Sequence, residues 1–248
     1  MSDPKVQIEG RRPVIEALRA GRPISEILIA TGSRPSGALA EIVRLANRQG
    51  IKVREMPRRE LESKAQSRNA QGVIATAVGD FGYVTIDELV ERATSAAQPS
   101  LLVALDGVTD PQNLGAIARS AEAAGAHGLV VGKRRAAPVT PSAEKAAAGA
   151  LEHLPVAQVT NLARALEALK ERGVWIAALD ADAEQTIYDF DARDPVCLVI
   201  GGEGEGVSRL VAERADHRLC IPMAGKVQSL NASAAGAIAL FEIKRQRS

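Results

Sequence analysis

Apolar residues along the first 76 residues recur at spacings that alternate between helical and strand-like. Between residues 36 and 49 they lie three and four apart, which predicts an amphipathic helix, whereas the run EILIA at 26–30 predicts a buried strand. The segment contains no nucleophile, metal-ligand cluster or phosphate-binding loop, so the pattern favours a compact α/β binding module. The predicted elements are helices at 12–20, 36–49 and 58–64, and strands at 26–30, 51–53 and 72–78.

From residue 100 onward the pattern becomes strand, loop, helix, and it repeats. Such alternation predicts a parallel sheet with helices on both faces, whose ligands bind beyond the carboxyl ends of the strands. The loops after residues 105, 179, 200 and 221 are therefore expected to carry the chemistry. The elements predicted here are strands at 101–105, 127–131, 174–179 and 196–200, and helices at 113–124, from Thr140-Pro141, and at 231–245.

The same pattern divides the chain into a binding domain (1–76), a linker (77–99) and a larger domain (100–248). Within the linker, Thr85 and Glu88 have the spacing of a capping box, which predicts the start of a short helix.

Composition narrows the possible functions. Hydrophobic residues make up 46% of the chain but aromatic residues only 2%, which argues against a nucleic-acid surface built on base stacking. Cys197 and Cys220 lie in apolar runs and have no metal-ligand spacing, so they are interpreted as packing residues and no metal is expected. Without a signal-like N-terminus or an apolar run of about 20 residues, the chain is predicted to be soluble and cytoplasmic.

Charge is distributed unevenly although the net charge is only +1. Residues 1–80 hold 14 Lys and Arg against 9 Asp and Glu, a net of +5, and the remaining 17 and 21 give residues 81–248 a net of −4. A basic first third suits a polyanionic partner, because phosphate contacts supply much of the affinity for nucleic acids. An ordinary solvated surface explains the same charges equally well.

The loop at 105–125 contains Asn113, which can cap the following helix, and Arg119. Six residues correspond to about 600° of helical rotation, so the two share a face only if Asn113 precedes the first turn.

Two later loops are rich in glycine and small residues. The run GGEGEG at 201–206 follows a buried strand, and its glycines permit close approach of a ligand. Glu203 and Glu205 would repel a phosphate, so the loop suits an uncharged or cationic ligand. The segment 220–242 ends a strand at Ile221-Pro222 and leads through Ser229-Leu230-Asn231 into an apolar helix with Ser229 or Asn231 as its cap.

Together, these three segments resemble the motifs of the SpoU family of SPOUT RNA methyltransferases. The residues that carry the resemblance are Asn113, Gly115 and Arg119 in the first motif, Gly201, Gly202, Glu203 and Gly206 in the second, and Ile221, Pro222, Met223, Gly225, Ser229, Leu230 and Asn231 in the third. The run GRRPVIEAL at 10–18 is similar to the opening of that family's substrate-binding domain.

The resemblance implies a trefoil-knotted α/β domain that binds S-adenosylmethionine, and an N-terminal domain similar to ribosomal proteins that bind kink-turn RNA. It also implies a homodimer with residues of both subunits near each site. The subgroup it resembles most methylates the ribose of a guanosine in the peptidyl-transferase region of large-subunit rRNA. The site residues expected from it are Asn113, Arg119, Glu203, Ser229 and Asn231 for catalysis, Gly201, Gly202, Ile221, Met223, Ser229 and Leu230 for the cofactor, and Arg11, Arg12, Arg58, Arg59 and Arg68 for RNA.

Two alternatives remain open at this point. A tRNA ribose methyltransferase of the same family would carry the same motifs, although such enzymes often lack an N-terminal domain of this kind. A non-catalytic RNA-binding protein would retain the fold, but the intact motif residues argue against it.

Overall fold

A computed structural model describes residues 5–32, 37–66, 70–79, 81–227 and 229–248. The described residues form two β-sheets, which we call the N-terminal sheet (β1–β4) and the C-terminal sheet (β5–β11). The strands are β1 Lys5–Glu9, β2 Ile24–Ala30, β3 Lys52–Met56, β4 Val73–Val78, β5 Leu101–Asp106, β6 Gly128–Gly132, β7 Val156–Val159, β8 Trp175–Leu179, β9 Gln185–Thr186, β10 Val196–Gly201 and β11 His217–Cys220. The helices are α1 Arg11–Arg19, α2 Ala38–Arg48, α3 Arg58–Lys64, α4 Ile86–Thr94, α5 Pro111–Ala124, α6 Pro141–Ala147, α7 Leu162–Lys170, α8 Arg209–Ala212 and α9 Ala232–Gln246.

The N-terminal sheet has the order β1-β4-β2-β3. Strand β4 is antiparallel to both β1 and β2, and β2 is parallel to β3. Strands β1, β2 and β3 therefore point the same way, and their carboxyl ends share one edge of the sheet with the start of β4. Helices α1 and α2 pack on one face of this sheet and α3 on the other.

The C-terminal sheet has the order β7-β6-β5-β10-β8-β11-β9, and each pair of neighbours is parallel. One face is covered by α5, α6 and α9, and the other by α4, α7 and α8. The predicted parallel sheet with helices on both faces is thus confirmed. Strands β5, β6, β8 and β10 are almost continuously apolar because both of their faces are buried.

Local capping signals place most helix starts correctly. The Thr85–Glu88 capping box is formed, Thr140 caps α6 ahead of a proline, and Asn231 caps α9. One prediction is wrong: α5 begins at Pro111 rather than at Asn113. Its cap is Asp110, whose side chain accepts a hydrogen bond from the backbone NH of Gln112 at 3.0 Å.

The two sheets are joined through a buried ion cluster. Arg22, in the turn before β2, donates from Nη1 to Glu144 of α6 at 2.6 Å and to Glu152 at 2.9 Å. Residues 84–94 also lie against the C-terminal sheet, where Val84 pairs with Ala157 and Leu89 is fully buried. The domain limits at 76 and 100 remain a prediction.

Candidate active site

The carboxyl edge of the C-terminal sheet gathers the loops that the sequence singles out. Strands β5 and β10 are neighbours in register, with Asp106 opposite Gly201. The loop after β10 then folds over the end of β5, because the NH of Gly202 donates to the carbonyl of Asp106 at 2.8 Å and the NH of Ser208 donates to its carboxylate at 2.7 Å. The first and second motifs are thereby held against each other.

This close approach explains two of the glycines. A Cβ on Gly202 would lie 2.2 Å from the carbonyl oxygen of Gly107, and a Cβ on Gly201 would lie 2.1 Å from the carbonyl carbon of Gly206. Both distances are far inside van der Waals contact with backbone, which cannot move aside as a side chain can. Any larger residue at these positions must displace the loop.

Side chains from the three motifs meet in one hydrogen-bonded cluster. The amide nitrogen of Asn113 donates to Glu203 Oε1 at 2.9 Å, and that of Asn231 donates to the same oxygen at 2.5 Å and to Asn113 Oδ1 at 3.0 Å. The Oδ1 of Asn231 accepts from the NH groups of Ser233 and Ala234, so the same side chain also begins α9. Asn113 is 7% exposed. Two carboxamides, one of them buried, therefore hold the exposed carboxylate of Glu203 in place.

Arg119 does not join this cluster within one chain. Because Asn113 is already the third residue of α5, the six intervening residues turn Arg119 to another face of the helix. Arg119 is exposed, and among the described residues it forms no hydrogen bond or ion pair. Its catalytic role stays a prediction.

A cavity of about 540 Å³, which we call the Leu230 cavity, lies beside the cluster. Every residue predicted to contact the cofactor lines it, namely Gly201, Gly202, Ile221, Met223, Ser229 and Leu230. Glu203 forms part of the same wall. The structure therefore brings these residues to one cavity, and their role in binding a ligand stays a prediction.

The chemistry of the Leu230 cavity fits an adenosine-containing cation. Met223 and Leu230 are exposed and line the cavity with apolar surface. An apolar wall of this kind suits a flat aromatic base. The charged residues that line it are Asp180, Asp182, Glu203, Glu205, Arg209 and Arg218. The acids outnumber the bases by two, which favours a positively charged ligand.

The N-terminal sheet gathers arginines at its own carboxyl edge. Arg11 and Arg12 follow β1, and Arg58 and Arg59 follow β3. Arg12 and Arg59 are exposed and unpaired among the described residues. Arg58 forms an ion pair with Glu62, in which Nη1 lies 3.6 Å from Oε1. Arg68 lies outside the described residues.

Sequence reasoning missed part of the carboxyl edge. Strand β7 and helix α7 were not predicted, so Thr160 and Asn161 between them were overlooked, as were Arg134 and Arg135 after β6. A basic run KRR directly after a buried strand was the available signal.

The two cysteines differ in burial. Cys197 is fully buried, and burial raises the pKa of its thiol to about 12, which fits a packing role. Cys220 is only half-buried.

Helix α9 leaves a hydrophobic stripe uncovered. Ala234, Ile238 and Phe241 lie three and four residues apart and are exposed, with Ile238 at 37% and Phe241 at 49%. Leu240, on the same helix, is instead buried within the chain. In the described ranges, no helix has the length and apolarity needed to span a membrane.

Family models match both parts of the chain. The model described as "SpoU rRNA Methylase family" matches residues 100–241, and the one described as "RNA 2'-O ribose methyltransferase substrate binding" matches residues 7–79. The putative TrmH family tRNA/rRNA methyltransferase YacO of Bacillus subtilis is 41% identical over 247 residues, which cover 100% of this chain and 98% of the relative.

Solved structures agree with the models. The SpoU methyltransferase AviRb from Streptomyces viridochromogenes, crystallised with the cofactor AdoMet, is 28% identical, with a TM-score of 0.80 over 98% of this chain and 90% of its own. The TrmH/SpoU tRNA modifying enzyme of A. aeolicus is 32% identical with a TM-score of 0.56, but the match covers only 65% of this chain and 82% of that one. The resemblance of the three motifs is thereby confirmed, and the chain belongs to the SpoU rRNA methylase family.

Proposed function

We propose that this protein transfers a methyl group from S-adenosylmethionine to a ribose 2′-hydroxyl of large-subunit rRNA, at a guanosine of the peptidyl-transferase region. The observation that carries the proposal is the cluster of Asn113, Glu203 and Asn231, whose Glu203 lines the Leu230 cavity. Three separate motifs converge there on one polar group beside a cavity of about 540 Å³, which is ample for a nucleoside cofactor.

The Leu230 cavity holds the cofactor. Bound S-adenosylmethionine supplies a methyl group on a positively charged sulfur. Gly201 and Gly202 admit the ligand against bare backbone, Ile221, Met223 and Leu230 cover its base, and Ser229 offers a hydroxyl to its polar groups. Glu203 and Glu205 supply negative charge that favours binding of a cation.

The chain's polar residues prepare the ribose. A hydroxyl is a weak nucleophile until its proton is removed or strongly hydrogen-bonded. Glu203 accepts that hydrogen bond, and the carboxamides of Asn113 and Asn231 fix the direction in which it accepts. Arg119 stays protonated and stabilises the negative charge that develops on the 2′-oxygen.

A second copy of the chain brings Arg119 to this centre. Arg119 faces outward on α5, and α5 packs against α9, which carries the uncovered stripe of Ala234, Ile238 and Phe241. A homodimer that buries the stripe therefore brings the exposed side of α5 near a partner.

The C-terminal region forms the trefoil knot of the family. The path of the chain supports this proposal. Strand β11 lies beyond β8 in the sheet, and the chain then returns so that α9 packs on β10 and α5.

The N-terminal domain selects rRNA. Its arginines follow β1 and β3 at one edge, an arrangement that suits a folded RNA backbone, as in ribosomal proteins that bind kink-turns. The A. aeolicus tRNA enzyme matches only 65% of this chain, whereas an rRNA methyltransferase from Sinorhizobium meliloti matches 97% of it. That difference favours rRNA over tRNA.

Mapping of ribose methylation in rRNA and tRNA from cells with and without the protein tests the proposal. We expect one 2′-O-methylguanosine of large-subunit rRNA to disappear and to return with the intact gene. Loss of a tRNA methylation with rRNA unchanged would establish the tRNA alternative instead.

A further inference from the structure

A second cavity, which we call the Arg134 cavity, lies across the 202–206 loop from the Leu230 cavity. It also has a volume of about 540 Å³, and it lies over the carboxyl ends of β5, β6, β7 and β10. Glu203 lines both cavities. The carboxylate of the catalytic cluster therefore faces two compartments, and only the Leu230 cavity is taken by the proposed cofactor.

The Arg134 cavity is basic at one end. Arg134 and Arg135 follow β6, and Thr160 and Asn161 follow the neighbouring edge strand β7. Both arginines are exposed, and within the described ranges neither forms an ion pair or a hydrogen bond. Two unpaired guanidinium groups beside a hydroxyl and a carboxamide form an end suited to a phosphate, which accepts hydrogen bonds from all four side chains.

The other end of the Arg134 cavity is acidic. Asp106 follows β5, and Glu203 and Glu205 lie in the loop after β10. Asp106 accepts a hydrogen bond from the NH of Ser208, and Glu203 accepts hydrogen bonds from two carboxamides. Each carboxylate has further lone pairs that can accept hydrogen bonds from donor groups of a ligand. Because the acids outnumber the bases by one, a small free anion is a poor occupant. A ligand with an anionic group at one end and neutral donors at the other matches the cavity.

The basic end is held in place by backbone. The NH of Lys133 donates to the carbonyl of Val159 at 2.8 Å, and the NH of Ala137 donates to the carbonyl of Val108 at 2.8 Å. Between these anchors, Arg135 has a φ of 54°, the left-handed conformation that a non-glycine residue adopts only at a cost. The loop therefore presents both arginines from a fixed turn.

We propose that the Arg134 cavity binds one nucleotide of the RNA strand, with its phosphate on Arg134 and Arg135 and its ribose toward Glu203. This inference rests on the proposed function, since it assigns the place where the substrate strand enters the same site. The polarity of the cavity orients the nucleotide: the phosphate lies at the β6–β7 end, and hydroxyl and amino donors lie at the β5–β10 end. The ribose then lies beside the wall shared with the Leu230 cavity.

The test replaces both arginines in the full-length protein. Binding of in-vitro-transcribed large-subunit rRNA is measured at several salt concentrations for Arg134→Ala/Arg135→Ala, together with S-adenosylmethionine binding by calorimetry. We expect RNA affinity to fall about tenfold for each arginine. The slope of log affinity against log salt should shrink by about 0.7, because both arginines contact a single phosphate. Cofactor affinity and melting temperature should stay unchanged, because both side chains are exposed and lie outside the Leu230 cavity.

Arg193→Ala is the matched control. Arg193 is exposed and precedes β10, so it lies at the opposite edge of the same sheet and its loss should leave RNA affinity unchanged. The double lysine variant, Arg134→Lys/Arg135→Lys, should retain most of the salt slope because it keeps both charges. RNA affinity and salt slope equal to those of the unmodified protein would overturn the inference, as would an equal loss in Arg193→Ala or a matching loss of cofactor affinity. The binding measurement is independent of methyl transfer, so failure of the proposed reaction is distinguishable from failure of this site.

Discussion

In both sheets of this protein, the side chains proposed to act on cofactor and RNA lie at the carboxyl ends of the strands, but the two sets differ in how they are held. At the edge of the N-terminal sheet, arginines such as Arg12 and Arg59 stand exposed and unpaired within the described ranges. At the edge of the C-terminal sheet, Asn113, Glu203 and Asn231 are joined by hydrogen bonds between 2.5 and 3.0 Å. The N-terminal sheet therefore presents unpaired positive charges at the surface, whereas the C-terminal sheet presents side chains held in place by hydrogen bonds.

The difference matches two separate tasks. Attraction of a polyanion requires charge near the surface and tolerates small displacements, because phosphates repeat along the strand. Methyl transfer requires reacting atoms held within a fraction of an ångström, and a displacement of about 1 Å can cost roughly a hundredfold in rate. We therefore expect substitutions at the two edges to fail in different measurements.

The largest effect is expected where the two regions are joined. Arg22→Met removes the guanidinium that pairs with Glu144 and Glu152, whose side chains are 4% and 12% exposed. Removing one partner of a buried ion pair typically lowers the free energy of unfolding by about 3 to 5 kcal/mol. Chemical denaturation of the full chain measures this loss. Arg19→Met, which breaks an exposed pair with Glu16 and Glu41, should cost far less because water screens that pair.

The free energy of unfolding should also depend on pH, because of Glu144 at this junction. Burial raises the pKa of Glu144 above its usual value, and Arg22 opposes that rise. An acid whose pKa is raised in the folded chain binds its proton more tightly there, so stability increases as the pH falls through the raised pKa. Without Arg22 the rise is larger, and the deficit of Arg22→Met relative to Arg19→Met should narrow between neutral and mildly acidic pH. A deficit independent of pH would contradict this account of the junction.

The second effect separates chemistry from binding. Arg119→Ala should lower the single-turnover methylation rate by roughly a hundredfold or more, the scale of removing one donor that stabilises an oxyanion. Affinity for S-adenosylmethionine should change only a few-fold, because Arg119 does not line the Leu230 cavity. Arg119→Lys should restore little, since lysine lacks the planar fork. A rate near that of the unmodified protein for Arg119→Ala would remove this residue from the mechanism.

The third effect tests the fixed geometry of the C-terminal edge. Gly202→Ala places a methyl group 2.2 Å from the carbonyl oxygen of Gly107, so the loop must move. We expect cofactor affinity to fall at least about tenfold and stability to fall by about 1 to 3 kcal/mol. Gly225→Ala is the control, because a Cβ there meets nothing within 4 Å and its φ is not positive. Equal behaviour of the two variants in calorimetry would mean that the close packing is not required.

The smallest effect is expected at the N-terminal edge. Arg12→Ala/Arg59→Ala should weaken rRNA binding several-fold and reduce its salt slope by about 1.4, for two phosphate contacts at about 0.7 each. The rate at saturating RNA and cofactor should not change. Arg48→Ala is the control, since Arg48 is exposed at the end of α2, near the opposite edge of the sheet. A lower rate at saturating RNA would show that the two edges do not divide the work as described.

The sequence predicted what depends on local or periodic signals. Parallel strands with chemistry at their carboxyl ends followed from the alternation of elements, and Thr85 and Thr140 marked helix starts correctly. The error at Asn113 arose because two cap-forming residues lie three apart. Pro111 decides between them, since proline favours the first helical position and so makes Asp110 the cap.

The rest depends on contacts between distant parts of the chain. Asn113, Glu203 and Asn231 are separated by 90 and 28 residues, so no spacing within the sequence reveals their shared hydrogen bonds. The resemblance to a family pointed to them, but the geometry did not follow from periodicity. The pairing of β7 beside β6, and with it the Arg134 cavity, is likewise decided by the order of strands. A basic run in the sequence does not show whether a cavity lies beside it.

The most direct test of the account follows the methyl group itself. The full-length protein is incubated with methyl-labelled S-adenosylmethionine and, in separate reactions, unmethylated large-subunit rRNA or unmodified tRNA, and the RNA is then digested to nucleosides. Asn231→Asp is run in parallel, because it keeps the acceptor that begins α9 but removes the donor to Glu203. We predict label in 2′-O-methylguanosine from a single position, and a rate at least about tenfold lower for Asn231→Asp with helix content preserved. Label on a base, label on tRNA alone, or an unchanged rate for Asn231→Asp would contradict the claim that this cluster directs methyl transfer to a ribose of rRNA.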